Sequence, residues 1–344
     1  MASIIISEAR ARAWSLEVLE RVGLTGDYAH HVSDCLVHSN LRGVDTHGLV
    51  RLTAYAARLE QMERSTIQIL NDDETTCVID AGNQPGPIGG SIGMEKAMEK
   101  AKAHGTGLAV VRNSNHYGTA AYYSLKAAEA GLLGISMTSA SPRIAPWGSV
   151  EAMLGNNPWS IALPGDRFPV VLDMANTVVA NGKIRTCLRE GTPLPDGWAM
   201  DREGNPTNDP AAAMNGLLMP VGGYKGVGIT VMVELLCSVL SGGAFAREVN
   251  RMEDAANPGN VCHFFLAADI SRLLPLEEQR ARMAEYIAMF KSARLKNGVS
   301  EVYLPGELEW RTEQTRRQTG IPLSEKTIGE LNALAARVGA SPIA

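Results

Sequence analysis

No C-x-x-C pair occurs in the 344 residues, and the five cysteines (Cys35, Cys77, Cys187, Cys237, Cys262) are scattered and odd in number. That pattern excludes a disulfide framework and predicts a reduced, cytoplasmic compartment. Positive charge is also in short supply: the net charge is −5 and no basic run occurs, which excludes a nucleic-acid or anionic-membrane surface. The longest apolar run, Val227 to Leu240, contains Glu234 and falls short of the about 20 residues that span a bilayer; it predicts a buried helix. The opening MASIIISEARARAW reaches Glu8 and Arg10 after a brief apolar run, so it does not read as a signal peptide. No G-x-G-x-x-G is present; GPIGGSIG and GGYKGVG are glycine-rich with other spacings, which argues against an ordinary Rossmann dinucleotide site. The seven histidines (His30, His31, His38, His47, His104, His116, His263) form no HExxH or zinc-finger spacing, so no metal site is expected. A G-x-S-x-G elbow and a Walker A motif are missing too.

What is present divides into helical ends and a mixed centre. Ser7 is placed to cap a helix through EARARAWSLEVLERVG that Gly23 closes. TGDYAHHVSDCLVHSN repeats the pattern, and LRGVDTHGLVRLTAYAARLEQM reads as a third helix or a loop entering one, so the first 64 residues are predicted all-helical. Strands are predicted at Thr75 to Asp80, GLAVVRN, LLGISMTSA, WSIALP, PVVLDMA and VCHFFLAADI. Helices are predicted at SIGMEKAMEKAKAHG, TAAYYSLKAAEAG, near Asn181 to Arg189, and at GGYKGVGITVMVELLCSVLSGGAF, the buried one. GTPLPDGWAMDREGNPTNDP predicts a long surface loop, and the chain turns helical again from Pro275. For the centre, a doubly wound α/β sheet is the natural first reading.

Four stretches could carry chemistry. His47 and Arg51, four apart, would share a helix face. An imidazole exchanges a proton near neutral pH and a guanidinium clamps a carboxylate with paired hydrogen bonds. The pair therefore suits a 2-oxo or 2-hydroxy acid, with Asp45 or Thr46 orienting the ring. Taken alone, a solvated helix face explains it more simply. RNSNHYG sets His116 beside Asn113, Asn115 and Tyr117 after a strand, where a site and a plain turn using asparagine's backbone tolerance are equally expected. SASPRIAPWGSVEAMLGNNPWSIALPG is long, barely charged and rich in small hydroxyls, either a nucleotide-binding loop or a structural crossover. GGYKGVG with Lys225 could cradle an anion at a helix start, although a flexible helix entry is the simpler account.

The ordered series HSNLRGVDTHGLVRL, NSNHYG, SPRIAPWGSVEAMLGNNPWSIALPG, VVLDMANTVVANGKIR, LPDGWAMDREGNPTNDPAAA, GGYKGVGI and LPGELEWR spans nearly the whole chain. In it the sequence resembles the malate/L-sulfolactate/L-lactate dehydrogenase family of NAD(P)-dependent oxidoreductases, which also includes ureidoglycolate dehydrogenase, 2,3-diketo-L-gulonate reductase and Δ1-piperideine-2-carboxylate reductase. The resemblance implies an α/β, L-sulfolactate dehydrogenase-like, non-Rossmann fold: a mixed, largely antiparallel sheet domain (residues 75–289) that binds NAD or NADP, plus a helical domain from both ends (residues 1–74 with 290–344) on the substrate side. It also implies a homodimer. By motif, His47 takes the proton donor's place and His116 that of a proton acceptor, with Arg51 and Arg42 binding the substrate carboxylate. Asp173, Met174, Ala175, Tyr224, Lys225, Gly306, Glu307 and Leu308 fall in cofactor-contacting segments. One such segment carries a serine where this chain has Ala140, which leaves Ser139 and Ser141 as substitutes.

The expected function is hydride transfer between nicotinamide and C2 of a small 2-hydroxy/2-oxo carboxylate of the malate, lactate or sulfolactate type. Reduction of a cyclic ketimine, or oxidoreduction of ureidoglycolate or 2,3-diketogulonate, stands as an alternative. A catalytically silent ligand-binding homologue is the alternative outside enzymes, opposed by the presence of His47, Arg51, His116 and Lys225.

Overall fold

A computed structural model describes residues 3–344. It begins with β1 (Ser3–Ile6), followed by α1 (Glu8–Arg21), α2 (Gly26–Leu41) and α3 (Leu52–Gln61). Then come β2 (Gln68–Asp72), β3 (Thr76–Asp80), α4 (Gly86–His104), β4 (Thr106–Ser114), α5 (Ala121–Glu129), β5 (Leu133–Thr138), β6 (Trp159–Leu163) and β7 (Val170–Met174). The second half holds α6 (Asn181–Glu190), β8 (Ala199–Met200), β9 (Pro206–Thr207), α7 (Pro210–Asn215), β10 (Leu217–Leu218), α8 (Tyr224–Glu234) and β11 (Val261–Ala268). It ends with α9 (Leu276–Lys291), α10 (Glu307–Thr319), β12 (Ile321–Ser324) and α11 (Glu325–Val338).

Ser7 caps α1 as its sequence predicts, accepting from the Arg10 N–H at 3.2 Å. The run before it is a strand and not part of an all-helical end: Ser3 to Ile6 pair antiparallel with Ser324 to Ile321. The partner lies about as far away along the chain as the chain allows, so no local pattern announces it. The two chain ends thus meet, and Trp14, Leu36, Leu52, Leu331 and Ile343 bury in one core.

The centre is a seven-stranded sheet in the order β2-β3-β4-β11-β5-β6-β7. Only β3 and β4 run parallel; every other neighbouring pair is antiparallel. A doubly wound sheet is therefore ruled out, and the mixed, largely antiparallel one is found. The cause is β11, which returns from far downstream to insert between β4 and β5. Helices α4 and α5 cover one face, and α8 packs with Val110, Cys262 and Phe264 on the other. Glycine in GPIGGSIG serves this packing: a Cβ on Gly93 would sit 2.6 Å from the Phe265 ring.

Two further expectations are corrected. The stretch predicted as a long surface loop holds β8 and β9, which pair with each other, with β10 joining just downstream, because Leu194 and Ala199 bury with Leu218 and with Ile184 of α6. The glycine-led helix predicted as buried keeps an apolar face in the open: Tyr224 is 61% exposed and Met232 55%. Among the described residues, no helix is long and apolar enough to cross a membrane.

His263, fully buried in the middle of β11, accepts or donates to Thr138 Oγ1 through Nδ1 and to Ser114 Oγ through Nε2, both at 2.8 Å. Burial pushes its pKa down to about 3, so it is neutral in the fold and charged in the unfolded chain below about pH 6.5. The unfolded state then binds more protons, and stability rises with pH and is lost on acidification through that window. His263→Gln should remove about 1.4 kcal/mol per pH unit from the slope between pH 6 and 4, measured by urea unfolding; an unchanged slope would show that His263 is not kept neutral.

Candidate active site

DTHGLVR does not continue a helix. It folds as two successive 3-10 turns, Asp45–His47 and Leu49–Arg51, separated by Gly48. The shared-helix-face geometry expected for His47 and Arg51 is thus replaced by a tighter one. Buried Asn40, at the end of α2, organises it: Nδ2 donates to Asp45 at 2.6 Å and Oδ1 accepts the Leu49 N–H at 2.8 Å. A Cβ on Gly48 would lie 2.2 Å from Asn40 Oδ1, so glycine is required at the crossing. Arg316 of α10 clamps Asp45 from the other side at 2.7 and 3.1 Å. Asp45 is therefore consumed as an anchor, and it is Thr46 that meets the His47 ring, Oγ1 to Nδ1 at 3.0 Å. Arg51 Nε donates to Thr46 O at 2.6 Å, and among the described residues its two terminal nitrogens have no partner.

The RNSNHYG loop uses its asparagines as the turn reading expects, and it also brings His116 to the cleft. Asn113 takes a left-handed backbone, φ +51°, and Asn115 ties the loop down, accepting from Arg58 at 2.8 Å and donating to Asn83 O and Gln84 O. That framework carries His116 to the His47 ring, 5.5 Å between centroids and nearly parallel. The Tyr55 hydroxyl lies 2.8 Å from His116 Nδ1 and 3.0 Å from His116 O. His47 is pushed down to about 4, first by burial and then by the charge of Arg51. Burial, His47 and Arg51 hold His116 well below the usual histidine range.

The two imidazoles sit in a long cleft of two joined cavities. One, of about 420 Å³, is lined by His47, Arg51, His116, Ser139, Ser141 and Lys183 among others, with no Asp or Glu. Among the described residues neither Arg51 nor Lys183 is in an ion pair, while Arg58 spends its guanidinium on Met252 O, Arg251 O, Asn257 O and Asn115. The other, of about 450 Å³, is lined by Arg42, Asp173, Met174, Ala175, Gly306 and Glu309. His47 and Thr46 line both. Asp173 accepts from the Ala121 N–H at 2.9 Å at the start of α5, and burial pushes its pKa up to about 6.

Several predicted residues sit differently from the rest. Arg42 faces the second cavity, away from Arg51, and pairs with Glu313 at 3.1 Å. The Ser139 hydroxyl is held by the backbone of Cys262 at 2.9 Å, so of the two serines Ser141 is the one without a hydrogen-bond partner among the described residues. Glu307 turns its carboxylate to Lys291 and Arg311 at 2.7 and 2.6 Å, and Leu308 is exposed. Tyr224 and Lys225 line neither cavity. Sequence reasoning missed Tyr55, Asn40 and Glu309; for Tyr55 the signal was available, since it continues the four-residue spacing of His47 and Arg51.

A family model described as malate/L-lactate dehydrogenase matches residues 6–332. The malate dehydrogenase of Pyrococcus horikoshii is 38% identical over 98% of this chain and 96% of its own length; a solved structure of malate dehydrogenase from that organism superposes with a TM-score of 0.90 at 36% identity, covering 99% of this chain and 97% of that one. The L-sulfolactate dehydrogenase of Methanocaldococcus jannaschii is 32% identical over 98% of each chain, and a sulfolactate dehydrogenase structure from that organism gives a TM-score of 0.91 at 30% identity and 98% coverage of both. The NAD(+) ureidoglycolate dehydrogenase of Escherichia coli is 31% identical over 83% of each.

Replacing Asn40 by alanine strands the buried Leu49 N–H and leaves Asp45 held by Arg316 alone. The expected loss in unfolding free energy is about 1–3 kcal/mol; a variant as stable as the parent would show that another group holds the turns.

Proposed function

The chain belongs to the malate/L-lactate dehydrogenase family and is a dehydrogenase, and from that premise we propose that it transfers a hydride between a nicotinamide dinucleotide, NAD or NADP, and C2 of a small 2-hydroxy/2-oxo carboxylate of the malate, sulfolactate or lactate type. The observation that carries the substrate class is the first cavity: two unpaired cations, Arg51 and Lys183, two imidazoles and no acid. A carboxylate entering it meets the free fork of Arg51, and its C2 oxygen then lies toward His47 and His116. The second cavity fits the dinucleotide. Asp173 offers a carboxylate for ribose hydroxyls, and Gly306, at φ +78° with Val171 Cγ1 2.2 Å from where a Cβ would be, lets the backbone pack against β7 where it forms the cavity wall.

When bound, the nicotinamide supplies or takes the hydride at its C4. The chain does the rest. In the oxidising direction the substrate O–H breaks as the C2–H leaves with its electron pair, and the proton passes to His47 Nε2, the nitrogen not held by Thr46. Because burial and Arg51 keep His47 neutral, it is ready to accept a proton at neutral pH. Bound carboxylate offsets the Arg51 charge and strengthens the hold of His47 on that proton. Residues 1–74 with 290–344 act as the substrate-side helical domain and residues 75–289 as the cofactor-binding domain, in a cytoplasmic homodimer. Exposed Tyr224, Met232, Val239, Leu240 and Phe245 supply apolar area for a second copy to cover.

Wild-type protein with both cofactors and a panel of 2-hydroxy acids should change nicotinamide absorbance; a flat trace across the panel would overturn the proposal. Arg51→Ala should raise KM for the acid by about 10²-fold, the loss of roughly 3 kcal/mol in charge-assisted bonds, with cofactor affinity unchanged. In oxidation, kcat/KM should stay level from pH 8 downward and fall only toward about pH 4, the acid limb belonging to His47; a limb near 6.5 would place an unperturbed histidine in that role.

A further inference from the structure

His47 and His116 face one oxygen, and the reading above gives the proton to His47 without assigning His116 a role. The hydrogen bonds around each ring divide them. His116 Nδ1 lies 3.4 Å from the Gly118 N–H, which donates to it. A backbone N–H is a donor in every protonation state, and that of buried Gly118 makes no other hydrogen bond among the described residues. The Tyr55 hydroxyl, on a side chain only 4% exposed, has one hydrogen and two acceptors in reach, Nδ1 and His116 O. Were it to donate to the carbonyl, Nδ1 would have to carry a hydrogen of its own. That hydrogen would point at the Gly118 N–H and strand it, at a cost of about 1–3 kcal/mol. Donation from both Tyr55 and Gly118 into a bare Nδ1 satisfies every group.

We propose, building on the function proposed above, that Tyr55 and Gly118 lock His116 as the Nε2–H tautomer, so that His116 is a fixed neutral hydrogen-bond donor to the substrate oxygen and His47 alone exchanges the proton. His116 then presents no lone pair to the cleft, so it cannot take the substrate's proton. Releasing its own would leave an imidazolate. The neighbours that face it, His47, Arg51, Arg58 and His263, bring positive charge or none, so nothing around the ring favours a second proton. The contrast with His47 is in the partner: Thr46 Oγ1 rotates between donor and acceptor, so His47 gains or loses a proton without stranding a group. Tyr55 acts through His116 and is a positioning residue.

The test has two arms on the full chain. Imidazole nitrogen spectra of histidine-labelled protein, free of cofactor, should show His116 protonated at Nε2 and bare at Nδ1 from pH 5 to 8. The Nδ1–H tautomer, or protonation within that range, would overturn the proposal whether or not a substrate is known. In turnover, His116→Gln keeps a donor near the Nε2 position and cannot ionise; it should retain kcat within about tenfold and keep the acid limb, whereas His116→Ala loses about 10²–10³-fold and His47→Gln about 10²–10⁴-fold with the limb gone. Tyr55→Phe should lower kcat with KM unchanged. A His116→Gln variant as slow as His116→Ala and lacking the limb would contradict the assignment. Wild-type protein inert toward every 2-hydroxy acid would instead defeat the functional reading, leaving the spectra to decide the tautomer.

Discussion

Two hydrogen bonds from one buried ring hold the site's frame together. His263 joins Ser114, the last residue of β4, to Thr138, the last of β5. Those strand ends release the loops that line the cleft, one carrying His116 and the other Ser139 and Ser141. The strand between them, β11, supplies the bridge only because it comes back to split β4 from β5. Tyr117 stacks on the His263 ring at 4.6 Å and 8°, so the residue next to His116 is fixed by the same group. A neutral imidazole with both nitrogens bonded suits this place, since a charge there would be buried without a counter-ion.

Charge is distributed in keeping with the two halves of the cleft. Among the described residues, the cations without an ion-pair partner, Arg51 and Lys183, gather in the first cavity, proposed for the substrate, and the carboxylates Asp173 and Glu309 in the second, proposed for the dinucleotide. Where arginines serve structure they are visibly spent: Arg58 on three backbone carbonyls, Arg316 on Asp45, Arg42 on Glu313. Arg51 is spared because Thr46 O takes only its Nε. A single geometric device, two 3-10 turns pinned by Asn40, thus presents both the His47 imidazole and the Arg51 guanidinium fork to the same small volume.

Much of this was legible in the sequence, and what was not has identifiable causes. The missing glycine fingerprint pointed away from a Rossmann domain, and periodicity located α1, α2, α4, α5 and most sheet strands. Strand order was illegible because β11 and β1 pair with partners far along the chain. The four-residue spacing of His47 and Arg51 correctly joined them but suggested a helix; the crossing at Gly48 and the demand of Asn40 for its space produce turns instead. Asp45 looked like an orienting group because only its neighbours in sequence were visible, while Arg316, its real partner, lies on α10. The cofactor-contacting placements of Tyr224, Lys225, Glu307 and Leu308 came from motif likeness, and motif likeness does not say where a side chain points.

The most direct measurement is a crystal structure of the protein with a reduced nicotinamide dinucleotide and oxamate, an unreactive 2-oxo acid analogue. The account predicts the dinucleotide along Asp173 to Ala175 and Gly306, the oxamate carboxylate on the terminal nitrogens of Arg51, and its amide oxygen between His47 Nε2 and His116 Nε2. An analogue carboxylate bound at Arg42, or a dinucleotide filling the cavity between Arg51 and Lys183, would contradict it.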